Sequence, residues 1–240
     1  LGYSCSSRDQ ILENLDEFHL PEIKMVRGLD DAFSVLDRFA HGKKRFSTAM
    51  RSSILQLFQT GDIVYHGLVA HHFVRNISHV LKVRIIADTD KRVADEMARE
   101  NITAEQARYI LKKDDEERRK WGMFLYGMDV MDPETYNLII RIGHLSEDDA
   151  VNIIAHAVSQ PTFQETPASQ AALADSAMEA LISRKLFAFP LAVVAANNGL
   201  ATISLKAPEE QQSIIRERID GMLREIPSLV HYTLQFEPFY

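Results

Sequence analysis

At 240 residues, with 46% hydrophobic and 25% charged side chains, the sequence has the composition of a folded protein with room for two cores, which excludes the disordered and fibrous classes. A formal net charge of −7 and a pI near 5.7 exclude a general binder of nucleic acid or of anionic membranes, so any phosphate recognition must be local. The single cysteine, Cys5, permits no internal disulfide and fits a reducing, cytoplasmic setting, and no apolar run is long enough to span a bilayer. Leu1 in place of an initiator methionine sets the expectation that the natural chain begins further upstream.

In chain order, the opening reads as a helix tail, a short strand over Tyr3–Ser6 and a helix capped near Ser7, with Gln10 three residues on. Between Leu20 and Phe58 the apolar spacing of Phe33, Leu36, Phe39, Ile54, Leu55, Leu57 and Phe58 predicts two or three helices. Ile63, Val64 and Tyr65 form a buried strand, followed by a helix from Leu68 to Val74. Val80 to Ala87 is nearly continuously apolar and β-branched, the pattern of a parallel strand covered on both faces. A helix over Asp90 to Arg99 follows, then a second one opened by the capping pair Thr103 and Gln106. That helix runs into a charge-dense stretch from Asp114 to Lys120, which by itself reads as a solvated face with pairs such as Asp114 to Arg118. Met123 and Met128 read as core filler. A strand over Tyr136 to Ile142 and a helix from Ser146 to Val158, capped by Ser146 and Asp149, close the first part.

The composition of residues 159–170, rich in Pro, Ser, Thr and Gln, predicts a linker, which divides the chain into domains 1–158 and 171–240. Beyond it the pattern is αββαβ: a helix from Ala171 to Leu186, strands Leu191 to Ala196 and Leu200 to Lys206, a helix from Glu209 to Arg224 and a strand from Val230 to Phe236. Asn198-Gly199 between the first two strands predicts a type I′ hairpin turn. The fold class expected is α/β, with a parallel sheet in the first domain and a small α+β second domain.

Four stretches carry a resemblance. GDIVYHGLVAHHFV, VLKVRIIADTDKRV, KKDDEERRKWGMFLYG and DPETYNLIIRIGHLSEDDAV occur in the order and spacing of the cytidylate kinase-like branch of the P-loop nucleoside-monophosphate kinases, and the first 158 residues resemble that family. The resemblance implies ATP-dependent phosphoryl transfer to a nucleotide, with ATP and Mg²⁺ as cofactors of the intact protein and none held tightly by these residues alone. It implies a lid whose arginines fold over phosphates: Arg118 in a D-x-x-R pattern with Asp115 to orient it, Arg92 early in the lid, and Arg119 and Lys113 as secondary members. Cations converging from a mobile segment are what phosphoryl transfer requires, since catalysis there is positioning and charge neutralisation. Arg8 and Asp9 match the region that approaches the acceptor nucleotide. His66 stands where classical relatives carry an arginine, a pH-dependent cation in place of a permanent one. The spacing of His66, His71, His72 and His79 matches no familiar zinc pattern, and no metal site is expected.

No GxxxxGK[ST] loop occurs in the 240 residues. The first strand and phosphate loop of the family are therefore expected upstream, and the 240 residues by themselves are expected to be inactive in transfer. The alternative is a non-catalytic nucleotide-sensing or scaffold module. The C-terminal αββαβ part resembles a BON domain, which implies binding, with a homodimer or a protein partner rather than a membrane as the expectation for so acidic a chain.

Overall fold

The computed structural model describes residues 2–16, 42–67, 70–226, 229 and 231–237. The helices expected between Leu20 and residue 41 lie outside the described residues.

The chain opens with β1 (Ser4–Ser7) and α1 (Arg8–Asp16). Ser7 and Gln10 cap α1 reciprocally: the Ser7 amide donates to Gln10 Oε1 at 2.9 Å and the Gln10 amide to Ser7 Oγ at 3.3 Å. A single long helix, α2 (Gly42–Phe58), leads to β2 (Ile63–His66) and the short α3 (Ala70–Phe73). Then come β3 (Val83–Ala87), α4 (Thr89–Glu100) and α5 (Ala104–Tyr126), the last opened by the Thr103–Gln106 capping box. β4 (Leu138–Ile142) and α6 (Glu147–Val158), capped by Ser146 and Asp149, complete this part.

The four strands make two parallel pairs. β1 lies beside β2 with Ser4 opposite Ile63 and Ser7 opposite His66; β3 lies beside β4 with Val83 opposite Leu138 and Ala87 opposite Ile142. Parallel neighbours need helical crossovers, which α2 and the α4–α5 excursion provide. Among the described residues no strand joins the two pairs. This corrects two expectations. The strands at 63–65 and 80–87 are not covered on both faces, because a two-stranded ribbon cannot shield its own side chains: Val64 is 51% and Ile85 54% exposed. Met123, expected in the core, is also exposed.

The core of this part is built around α2, whose Phe46, Ala49, Met50 and Ile54 recur at helical spacing. Phe46 and Met50 pack with Ile11 of α1 and Trp121 of α5, the Phe46 and Trp121 rings lying 5.7 Å apart. Burial of each such side chain contributes about 1.5–3 kcal/mol.

Residues 159–170, expected as a linker, carry secondary structure. They hold a 3₁₀ turn at Pro161–Phe163 and the start of α7 (Pro167–Lys185), where Thr166 and Ser169 form a capping box and Pro167 fits the first helical turn. The Ser, Thr and Pro content that suggests a linker is spent on caps and turns. One side of α7 closes on α2, with Leu173, Ala177 and Ala180 against Leu55, Val74 and Ile77; the small alanines let the two axes approach.

The other side of α7 covers a three-stranded sheet of β5 (Val193–Asn197), β6 (Leu200–Lys206) and β7 (Tyr232–Glu237), with α8 (Gln212–Leu223) crossing from β6 to β7. β5 and β6 are antiparallel and β6 and β7 parallel, in the order β5-β6-β7. The αββαβ order is as expected. Ile182, Leu186, Ile203, Ile219 and Leu234 fill the space between sheet and helices. Asn198 and Gly199 take φ of 50° and 78°, the positive pair a type I′ turn needs. Both of their amides donate to the Asp175 carboxylate of α7 at 2.8 Å, and the Ala196 amide donates to Glu179 one helical turn later at 2.9 Å. Glu179 also takes Arg51 of α2 at 3.0 Å, tying both parts of the molecule to α7.

Candidate functional site

In open parallel sheets, ligands sit beyond the carboxyl ends of the strands. Several residues of interest lie at or just after those ends. β1 ends in Ser7 and delivers Arg8 and Asp9; β2 ends in His66, opposite Ser7; β3 is followed by Asp88; β4 carries Arg141.

Arg8 is the least solvated cation of this set. Its side chain is 19% exposed, and its guanidinium lies 5.8 Å from the Trp121 ring centroid. Burial pulls its pKa below the ordinary value, offset by Asp9 at 3.9 Å and by Tyr65 and Tyr126. Nη2 is buried with no hydrogen-bond partner, and so is the Tyr65 hydroxyl. Burial pushes the Tyr65 phenol up to about 12, so it stays a neutral donor at any physiological pH. Gly67 makes this corner possible: a Cβ there would lie 2.8 Å from the Tyr65 hydroxyl and 3.0 Å from Arg8 Cβ. His66 is exposed at the mouth of the same corner.

Helix α5 connects this corner to the lid candidates. Arg92 of α4 forms a fork-to-fork pair with Asp115, at 2.7 and 2.9 Å, which holds the Arg92 pKa above its usual value. Arg118 and Trp121 follow at successive intervals of three residues, so Asp115, Arg118 and Trp121 are neighbours along one side of the helix. At 1.5 Å per residue the rise from Asp115 to Trp121 is about 9 Å. Arg92 therefore meets α5 at Asp115 and Arg8 meets it at Trp121, and Arg118 lies between those positions in the sequence. Arg118 is exposed and enters no ion pair among the described residues.

This placement corrects the expected pairings. Asp115 does not orient Arg118; it is engaged by Arg92, whose planar fork reaches it from the adjacent helix. The Asp114–Arg118 pair is not formed, and the charged run is instead satisfied by Lys120–Glu117 at 2.7 Å and by Arg119–Asp129 at 2.6 Å. Arg119 therefore points away toward the segment after α5, and Lys113 is exposed on the solvent side of the helix.

Two residues escape a reading of the sequence. Arg141 binds the Asp88 carboxylate, through Nε at 2.8 Å and again through Nη2, across the ends of β3 and β4. The available signal is positional: an arginine interrupts the apolar run LIIRI, and an aspartate follows VRIIA directly. His71 and His72 serve packing. His71 stacks on Tyr136 at 4.6 Å, and burial brings its pKa down to about 4. Among the described residues no three His, Cys, Asp or Glu side chains draw together as a metal group, and no helix is long and apolar enough to cross a membrane.

The family model for the "Cytidylate kinase-like family" matches residues 1–144, more than half of the sequence and every strand and arginine of this site. The chain belongs to the cytidylate kinase-like family. Two curated relatives of this family type are similar to it. One, named cytidylate kinase, from Thermococcus kodakarensis, is 30% identical over 97 residues, 40% of this chain and 49% of the relative. The other, of the same name, from Methanopyrus kandleri, is 26% identical over 117 residues, 45% of this chain and 61% of the relative. The chain thus spans about half to three fifths of the length of these cytidylate kinases. Among solved structures, an uncharacterized protein from Eubacterium ventriosum ATCC 27560 is similar over 65% of this chain and 83% of its own, at 17% identity and a TM-score of 0.49.

Proposed function

We propose that this chain carries the acceptor and lid side of an ATP-dependent nucleoside-monophosphate kinase, with a pyrimidine monophosphate such as CMP as acceptor. The observation that carries this reading is that Arg92 meets α5 at Asp115 and Arg8 meets it at Trp121, with Arg118 between those two positions in the sequence. A phosphate oxygen arriving beside Arg8 supplies the acceptor that its buried Nη2 lacks, and the Tyr65 hydroxyl can donate to the same group. Arg118 neutralises charge on the transferring phosphoryl group, and Arg92 can exchange Asp115 for phosphate as the lid closes. Asp9 accepts hydrogen bonds from the acceptor nucleotide, while Lys113 and Arg119 remain peripheral members of the lid. His66, at the end of β2 opposite Ser7, offers a further side-chain donor toward the acceptor phosphate.

Mg²⁺ would arrive on the donor's phosphates, which suits a site rich in arginine and poor in grouped carboxylates. The phosphate-binding loop that holds such a donor is not among these 240 residues. The cytoplasm is the proposed compartment, and the αββαβ part a BON-like unit for a second copy or a protein partner. The rival reading, a nucleotide sensor without turnover, is favoured by the same missing motif.

The test measures CMP, UMP and AMP binding and ATP consumption with these 240 residues and with the natural full-length chain. Expected are weak CMP binding without turnover by the former and turnover by the latter, lost on Arg118→Ala. Binding with silence in both would establish the sensor. Unchanged nucleotide binding after Arg8→Gln would overturn the site itself.

A further inference from the structure

The C-terminal half of α2 meets α7 and the segment after α8 around a cavity of about 490 Å³ that no part of the nucleotide site uses. Its volume is in the class of small-molecule sites. Gln56 lines it from α2 and Gln59 from the turn just after it, Ala177, Leu181 and Arg184 from α7, and Ile226 from beyond α8. The lining is divided by chemistry: an apolar floor from Ala177, Leu181 and Ile226, and a polar wall from the two glutamines and Arg184. Lys185 and Glu225 complete that wall, paired at 2.6 Å. The lining thus includes two cationic side chains, Arg184 and Lys185, and one carboxylate, Glu225.

We propose that this cavity binds a small amphipathic anion, with its apolar body on the floor and its head group on Arg184. Arg184 is partly withdrawn from water, and burial pulls its pKa below the ordinary value. An anion that reaches it makes a charge-assisted hydrogen bond in a partly dry setting, where such bonds are strongest. Gln56 and Gln59 offer carboxamides to either end of the ligand. α2 lies within the family-matched residues 1–144, whereas α7 and Ile226 lie beyond them. A ligand held here bridges the two, and binding to the folded state alone raises the melting temperature of both together.

Hexanoate, hexyl phosphate and hexylammonium are titrated into the intact chain, following amide NMR shifts and thermal melting. Saturable binding of at least one anion, with shifts centred on Gln59, Leu181 and Ile226 and none for hexylammonium, is the expected result. The tighter anion tells carboxylate from phosphate as the head group. Arg184→Gln should weaken it by about tenfold. Gln59→Glu, a like charge at an exposed position of the wall, should weaken it about threefold or more. Failure of both anions to saturate, equal binding of hexylammonium, or unchanged affinity in both variants overturns the proposal. If Arg184→Gln does not fold, Gln59→Glu decides alone, since its reduced affinity supports the site and its unchanged affinity removes it.

Discussion

The sheet of the C-terminal part and the parallel pairs of the N-terminal part differ in how completely each encloses itself. In the former, Ile203 at the middle of the central strand is 0% exposed, covered by α7 and α8; in the latter, Ile85 at the middle of β3 is 54% exposed. The difference teaches that antiparallel pairing and a single βαβ crossover close a core from residues near in sequence, while parallel pairs depend on elements far away. Stability should follow that asymmetry. Ile203→Ala is expected to cost about 3 kcal/mol in urea denaturation, and Ile85→Ala under about 1 kcal/mol. Equal losses would break the comparison and show that β3 is covered in solution.

The second way to sharpen it is pH. His71, stacked on Tyr136 in the parallel part, is held neutral, with its pKa brought from 6.5 to about 4 mainly by burial and then by His72 and Lys82. Between those values the unfolded chain binds a proton that the folded chain refuses. The stabilisation is therefore complete above about pH 6.5 and is lost as the pH falls toward 4. Discounted for partial exposure, the loss amounts to about 1–2 kcal/mol. His71→Phe, which keeps the stack, should flatten this slope. A slope unchanged by His71→Phe assigns the acid sensitivity elsewhere.

A smaller effect is expected from the hairpin. Asp175→Ala strips two amide partners from the β5–β6 turn, and thermal melting should report a loss of about 1–2 kcal/mol. The smallest is at Arg118. Arg118→Ala should leave stability within about 0.5 kcal/mol, since the side chain is exposed and supports no packing. A larger loss would mean that Arg118 is structural.

How much of this is legible in the sequence follows the same division. Asn198-Gly199, the Thr103 and Ser146 capping boxes and the αββαβ order are local instructions, and each is realised within a residue or two. The parallel strands are legible and their burial is not, because a continuous apolar run says that a strand wants cover without saying what supplies it. The start of α7 is hidden because Thr166, Pro167 and Ser169 have the composition of a loop and the geometry of a helix cap. At the site, residue types and neighbourhood are readable. The partner of Asp115 is not: an i,i+3 spacing to Arg118 within α5 competes with Arg92 on another helix, and only tertiary packing decides between them. Asp88 and Arg141, 53 residues apart, lie beyond any local pattern.

The carboxylates of Asp175 and Glu179 have a consequence for the company this protein keeps. β5 is a sheet edge, and an edge with free amides and an exposed Val193 is a template on which a second chain can lay a strand. One amide of that strand, at Ala196, and the two turn amides beside it, at Asn198 and Gly199, are already occupied from within by two anionic side chains. An incoming strand meets negative charge where it needs acceptors it could replace only at a loss. The same two residues that fasten the hairpin to α7 therefore guard the molecule against open-ended self-assembly along that edge.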